Sequence, residues 1–313
     1  MNTPKSEQNL AAMSLGEIME RAYRKHVVVP AFNIPYLPMV RAVAEVLREC
    51  ETFALLEVAR PDINRFEAGS FRAIKEEYDR WADRSVSRLH QDHVPVVDEE
   101  GKEVDWESLI KEALDLGYDS VMIDGSRLSL AENIRITRVV VDMAHARDVL
   151  VEAELGSVLG HEAGPLPPYE ELFVSGKGFT SPEEAKRFVD ETGVDWLSVA
   201  VGNIHGAISG AARDNKKMEA CLNIDHLDTI ARMTNRPLVL HGGSGIQKTY
   251  VLQAIAHGIT KINVGTEIRQ AYEQGFRKNG KIEEAIAMLQ ERTEALITDY
   301  YGIRGSIKLL MKY

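Results

Sequence analysis

Three of the nine histidines in this chain stand where β-rich runs give way to polar residues: His93 in HQDH (90–93), His205 in VGNIHG (201–206) and His241 in LHGGSG (240–245). Three neutral imidazoles suit Zn2+, and a catalytic zinc keeps one coordination position open for a reactant. A Lewis acid so placed polarises a carbonyl or enediolate oxygen. Asp92 adjoins His93 and has the chemistry to move a proton to or from a reactant. Along an extended strand, His90 and Asp92 would face one side, and Gln91 and His93 the other, until the strand ends, where Asp92 beside His93 could reach a reactant. His90 by itself reads as a hydrogen-bonded structural histidine.

Two glycine-rich turns add a second chemistry. His241-Gly242-Gly243-Ser244-Gly245 opens a helical run, where small residues expose backbone N–H groups to an anion. Asn263-Val264-Gly265-Thr266 occupies the same place after the last strand-like run. Together the two turns read as a phosphate site.

Positioning these groups requires strands with their ends on one rim. Apolar, β-rich runs fall at 27–33, 53–59, 85–90, 119–123, 150–155, 195–201, 237–241 and 260–264. Helical spacing fills 37–50, 70–82, 104–116, 130–147, 181–192, 223–233, 247–257 and 266–278. Strands alternating with helices pair in parallel. Eight unbroken units predict a single (β/α)8 barrel, α/β in class, whose site lies at the C-terminal strand ends. The reading takes 1–313 as one domain, with a core over about 15–280 and a C-terminal helical arm over about 281–313. A long segment rich in Gly and Pro at 160–180, after the fifth strand, breaks the rhythm as a binding loop would.

Composition limits the partners. The net charge of −11 argues against nucleic acid or an anionic membrane, both of which need a basic face. No apolar run has membrane-spanning length, and Cys50 and Cys221 have no pair spacing, so a reducing, cytoplasmic setting is expected.

Taken in order, PAFNI (30–34), HQDH (90–93), MIDGS (122–126), VEAELG (151–156), VAVGNIHG (199–206), PLVLHGGSGI (237–246) and KINVGTEI (261–268) resemble the class II, zinc-dependent ketose-bisphosphate aldolases, from about residue 15 to about residue 306. The resemblance implies a lyase that makes or breaks a C–C bond of a phosphorylated ketose through a dihydroxyacetone phosphate enediolate. It implies zinc on His93, His205 and His241, with Asp124 and Glu154 at a second or alternative metal position. Asp92 would be the acid or base at the aldehyde oxygen, and Glu162 would handle the proton at the ketose carbon. Gly206, Gly242, Gly243 and Ser244, with Asn263, Val264, Gly265 and Thr266, would hold dihydroxyacetone phosphate. Asn33 would touch the enediolate, and Na+ or K+ would lie near Gly206 and Gly242. A homodimer or homotetramer is implied as well.

The chain departs from that pattern on one side. Where bisphosphate-binding members carry a serine after strand 2, this chain has Ala59, with Glu57 and Arg60 nearby. An alternative is therefore an aldolase for a sugar-acid or deoxy-sugar phosphate with a non-standard aldehyde half. A metallohydrolase on the same barrel would want His-x-His on strand 1, where Ala31-Phe32-Asn33 stands. Asp92 and the three-histidine set oppose a catalytically weak binding protein. An imine mechanism would need an interior lysine; Lys261 is expected at the far end of strand 8, badly placed for it.

Overall fold

In the computed structural model, which describes residues 9–156, 169–203, 221–243 and 245–312, eight parallel strands close into a barrel in sequence order. They are β1 (Val29–Asn33), β2 (Ala54–Ala59), β3 (Ser87–Pro95), β4 (Ser120–Asp124), β5 (Leu150–Leu155), β6 (Trp196–Val199), β7 (Leu238–Leu240) and β8 (Ile259–Val264). Pairing of Ala31 on β1 with Asn263 on β8 completes the ring.

The helices are α1 (Leu15–Arg24), α2 (Met39–Glu49), α3 (Arg60–Arg65), α4 (Phe71–Trp81), α5 (Trp106–Leu116), α6 (Leu130–His145), α7 (Tyr169–Ser175), α8 (Pro182–Thr192), α9 (Ile224–Thr234), α10 (Lys248–Ala256), α11 (Thr266–Asn279), α12 (Ile282–Ala295) and α13 (Ser306–Met311). Local chemistry sets their ends. Ser70, Ser129 and Ser181 each accept a backbone N–H three residues on, and Pro182 occupies the first turn of α8. Gly117 and Gly193 close α5 and α8 in the left-handed conformation.

The eight strand runs and eight principal helices lie where the sequence places them. Two short helices were not anticipated. The first, α3, springs directly from β2, because Pro61 suits a first turn and the Asp62 carboxylate accepts the Ala59 N–H at 2.8 Å. The second, α7, lies within the long segment after β5.

Period-2 alternation sorts each strand into two faces. Leu56, Val58, Leu89, Val121, Val151, Leu197, Leu238 and Ile262 point outward into one core shared with the helices. The inward face is layered. Its lower layer is apolar, with Val29, Ala31, Leu55, Trp196 and Val239 packed against Leu10, Met13, Ile18 and Met19 of the N-terminal segment and Leu310 of α13. There the buried Arg88 guanidinium donates to the Leu10 and Met13 carbonyls, each at 2.9 Å. The C-terminal arm closes this same end: Gly305 N donates to Cys50 O at 2.8 Å, and Arg21 reaches Leu310 O at 3.0 Å. The upper layer is polar and leads to the opposite mouth. Among the described residues, no helix is long and apolar enough to cross a membrane.

Candidate active site

The mouth is built from alternate residues of the inward face. Asn33 ends β1, Asp92 lies on β3, Asp124 ends β4, Glu152 and Glu154 lie on β5, His241 follows β7, and Lys261 and Asn263 lie on β8. The register sets Ala59 on β2 beside Asp92 on β3.

His93 reaches the same mouth by a departure from simple alternation. The β3–β4 register shifts between Gln91 and Val94, and His93 takes a φ of +32°. A β-bulge of this kind re-aims a side chain. Gln91 keeps the outward direction and donates to Leu109 O at 2.9 Å, whereas His93 turns inward beside Asp92. The bulge, and not the end of the strand, therefore breaks the alternation that would set His93 and Asp92 on opposite sides. β3 also continues to Pro95, beyond the end expected from the sequence.

His93 and His241 meet edge to face, with ring centroids 4.4 Å apart. His93 Nδ1 lies 3.6 Å from Asp124 Oδ2. His241 Nε2 sits 2.7 Å from Glu152 Oε1, and its Nδ1 sits 3.2 Å from Glu154 Oε2. Donor atoms of Asp92, His93 and His241 fall within 4.8 Å of one another, as do those of His93, Asp124 and Glu154. Imidazole nitrogen with carboxylate oxygen, convergent and partly to fully buried, is a donor set that fits a divalent ion of zinc's character. The electrostatics agree. Burial opposes charge on His93, yet Asp92 and Asp124 hold its pKa up to about 10. Burial and His93 oppose charge on His241, and Glu152 and Glu154 lift it to about 9. The carboxylates thus favour positive charge at this point in the barrel.

Glu57, His90 and Asp92 form a third convergent group, but a cation of the chain itself already lies against it. Lys261 Nζ is 3.1 Å from Glu57 Oε2, 2.9 Å from Glu152 Oε2 and 2.7 Å from Asn263 Oδ1. Lys261 is fully buried in the barrel interior, not at the far end of β8. Although burial disfavours its charge, Glu152 and Glu57 raise its pKa well above the usual lysine value. It is an ammonium, so it has no lone pair with which to form an imine. Burial and Asp92 push Glu57 up to about 8. His90 donates to or accepts from Ser120 Oγ at 2.8 Å, and burial lowers its pKa to about 3, in line with a neutral structural histidine.

Asp92 is held on both oxygens. Asn263 Nδ2 donates to Oδ1 at 2.9 Å and Asn33 Nδ2 to Oδ2 at 3.1 Å. Burial opposes its ionisation, but His93, Lys261 and His241 bring its pKa down to about 2. At neutral pH it is a carboxylate.

Gly243 abuts the β8 turn: a Cβ there would lie 2.4 Å from Ile262 Cγ2 and 3.1 Å from Asn263 O. A Cβ on Gly265 would meet Asn33 Oδ1 at 3.0 Å. The turns carrying Gly242, Gly243 and Asn263–Thr266 are therefore neighbours, and Thr266 begins α11. Val264 differs: its side chain is buried in the outer core, leaving only its backbone for the site. Glu162, His205, Gly206 and Ser244 lie outside the described residues.

Sequence reasoning missed four groups. Glu152 and Lys261 lie two residues below Glu154 and Asn263, so the period-2 pattern contained their signal. Asn203 links Val201 N (2.9 Å) to the His241 carbonyl (3.0 Å) and fixes the turn that carries His241. Asp62 is buried at the start of α3, shares the Asn33 side chain with Asp92, and is pushed by burial up to about 7.

A family model described as fructose-bisphosphate aldolase class-II matches residues 13–305. Among solved structures, the YdjI aldolase from Escherichia coli K12 is 26% identical with a TM-score of 0.72, the match covering 94% of this chain and 99% of that one. A putative fructose-1,6-biphosphate aldolase from Coccidioides immitis is 26% identical with a TM-score of 0.73, over 95% and 99% of the two chains. A fructose-bisphosphate aldolase from Campylobacter jejuni, 19% identical over 93% and 96% with a TM-score of 0.72, shares the fold.

Proposed function

Starting from the class II fructose-bisphosphate aldolase family, to which this chain belongs, we propose that it is a zinc-dependent lyase that cleaves or forms a C–C bond of a phosphorylated ketose. The observation that carries the reading is the convergence of His93, His241, Asp124 and Glu154 beside an Asp92 held by two amides.

His93 and His241, with His205, would hold the zinc, and Asp124 and Glu154 would offer a second or alternative position. When bound, the metal supplies a positive charge that stabilises the negative charge developing on the ketone oxygen. The backbone amides of Gly206, Gly242, Gly243 and Ser244 and of the 263–266 turn would bind the phosphate, with Na+ or K+ near Gly206 and Gly242. Asn33 would orient the reacting hydroxyls. In cleavage, Asp92 takes the proton from the C4 hydroxyl as the C3–C4 bond breaks. The C4–O electrons form the aldehyde carbonyl, and the bond pair stays on C3 as the enediolate. Glu162 then delivers a proton to C3, which completes dihydroxyacetone phosphate. The homodimer or homotetramer and the cytoplasmic setting remain part of the proposal.

The test is a panel of ketose phosphates assayed before and after chelation. Release of dihydroxyacetone phosphate, lost with the metal and restored by zinc, is the expected result. The reading fails if no ketose phosphate is cleaved and dihydroxyacetone phosphate exchanges no C3 proton with solvent.

A further inference from the structure

The wall of the mouth next to Asp92, on the β2 side, shows which aldehyde the enzyme handles. Ala59 lies beside Asp92, and α3 begins immediately after it. The β7 and β8 turns hold the other flank, which leaves Ala59 and α3 as a wall for the carbons beyond a carbonyl placed at Asp92.

Two features of that wall bear on charge. The Asp62 carboxylate is buried there, with Oδ2 on the Ala59 N–H at 2.8 Å and the Asn33 amide between it and Asp92. In its ionised form the Asp62 carboxylate, with two partners, keeps acceptor capacity for a hydroxyl, which can donate, but not for a phosphate dianion, which cannot. The cations of α3 each already have an acid beside them. Arg60 lies 3.8 Å from Asp98 and Arg65 lies 3.7 Å from Glu99, both acids belonging to the segment after β3. Asp98 is itself fixed by the Glu100 and Lys102 N–H groups at 3.0 and 2.9 Å. The far end of α3 is pinned as well, since Phe66 meets the Tyr36 ring at 6.0 Å and the Arg269 guanidinium at 5.3 Å. Among the described residues, the acids Asp62, Asp92, Asp98 and Glu99 stand along this wall with Arg60 and Arg65 of α3.

We propose that the aldehyde half of the site takes an uncharged, hydroxyl-bearing aldehyde and that Asp62 is the residue that selects it against a phosphorylated one. The proposal rests on the aldolase reading above and names its acceptor class. A hydroxyl satisfies the Asp62 carboxylate; a phosphate would meet like charge with no free cation on α3.

The test measures condensation by the zinc-loaded enzyme of dihydroxyacetone phosphate with glyceraldehyde and with glyceraldehyde 3-phosphate, both enantiomers of each. The expected result is a kcat/KM at least tenfold higher for the unphosphorylated aldehyde. In Asp62→Asn, whose fold is checked by its melting temperature, that ratio should shift at least fivefold toward the phosphorylated aldehyde, mainly through the aldehyde KM. Equal or better use of glyceraldehyde 3-phosphate by the wild type overturns the proposal, as does an unchanged ratio in Asp62→Asn. Solvent exchange of the C3 proton of dihydroxyacetone phosphate, measured without aldehyde, reports on the aldolase reading alone. Exchange with a preference for the phosphorylated acceptor sinks only the acceptor inference, whereas absent exchange and condensation sink both.

Discussion

Asn263 on β8 donates to Asp92 on β3 at 2.9 Å, bridging two strands separated by β1 and β2 across the mouth. The direction of this bond is fixed by charge. Lys261 can only donate, and it occupies Asn263 Oδ1 at 2.7 Å, so the Asn263 NH2 must turn to Asp92. The lysine acts at the mouth through the amide and does not need to reach a reactant.

Asp92→Asn keeps the size of the side chain and removes its ability to take a proton. Loss of a general base costs roughly 10²–10⁴ in rate. Cleavage of the best ketose phosphate should fall by that order, with zinc content unchanged by metal analysis. A rate near wild type would remove Asp92 from its assigned role.

Lys261→Met leaves Glu57 and Glu152 buried without their shared cation. Breaking a buried ion pair by deleting one partner costs about 3–5 kcal/mol. Urea unfolding should show a loss of that order. In the wild type, borohydride treatment in the presence of dihydroxyacetone phosphate should leave the mass of the chain unchanged. A reduced adduct on Lys261 would restore an imine mechanism.

Gly265→Ala places a methyl group 3.0 Å from Asn33 Oδ1. The displaced Asn33 would then hold Asp92 less well. Turnover is expected to drop about tenfold, at an overpacking cost of about 1–3 kcal/mol. Pairing the change with Asn33→Ser, which removes the clash, should recover part of the lost stability. If Gly265→Ala is as active as the wild type, Asn33 does not position Asp92.

The metal-free protein should lose stability toward alkaline pH. Asp62, Glu57, His241 and His93 have folded pKa values raised to about 7, 8, 9 and 10. A raised folded value gives stability that is complete below the unfolded pKa and lost as pH rises through the folded one. All four groups therefore act in one direction, and the chelated protein's melting temperature should fall from about pH 5 to about pH 10, most steeply near pH 7. Asp92 and Asp124, lowered to about 2, act oppositely and lose their contribution only in strong acid. With zinc bound as proposed, it would replace the protons on the two histidines, so reloading should flatten the alkaline decline and zinc affinity should rise with pH. A melting temperature independent of pH between 6 and 10, read by calorimetry on the chelated protein, would contradict the charge states assigned to the mouth.

Much of this was legible in one sequence because the strand runs are β-branched and the helices carry their own caps. Ser181-Pro182 and Gly193 bracket α8 as written. Three effects were not legible. The turn of His93 depends on a bulge at Gln91–Val94, and a bulge has no composition of its own. The burial of Lys261 depends on strand phase: counting from the start of the run suggested the end of the barrel, whereas counting back two from Asn263 gives the inward face. Asp62 was passed over because α3 is too short for a periodic signal, although Pro61 and an acid in a first turn were there to be read.

The interior ion cluster also bears on how the chain finds its fold. Glu57, Glu152 and Lys261 come from β2, β5 and β8, and no two of these strands are adjacent. A slip of one residue in any of the three would turn its charged group into the apolar layer beneath the helices. Lys261 and the Glu57 and Glu152 carboxyl groups work as a registration key, satisfied only when three separated strands are in frame together.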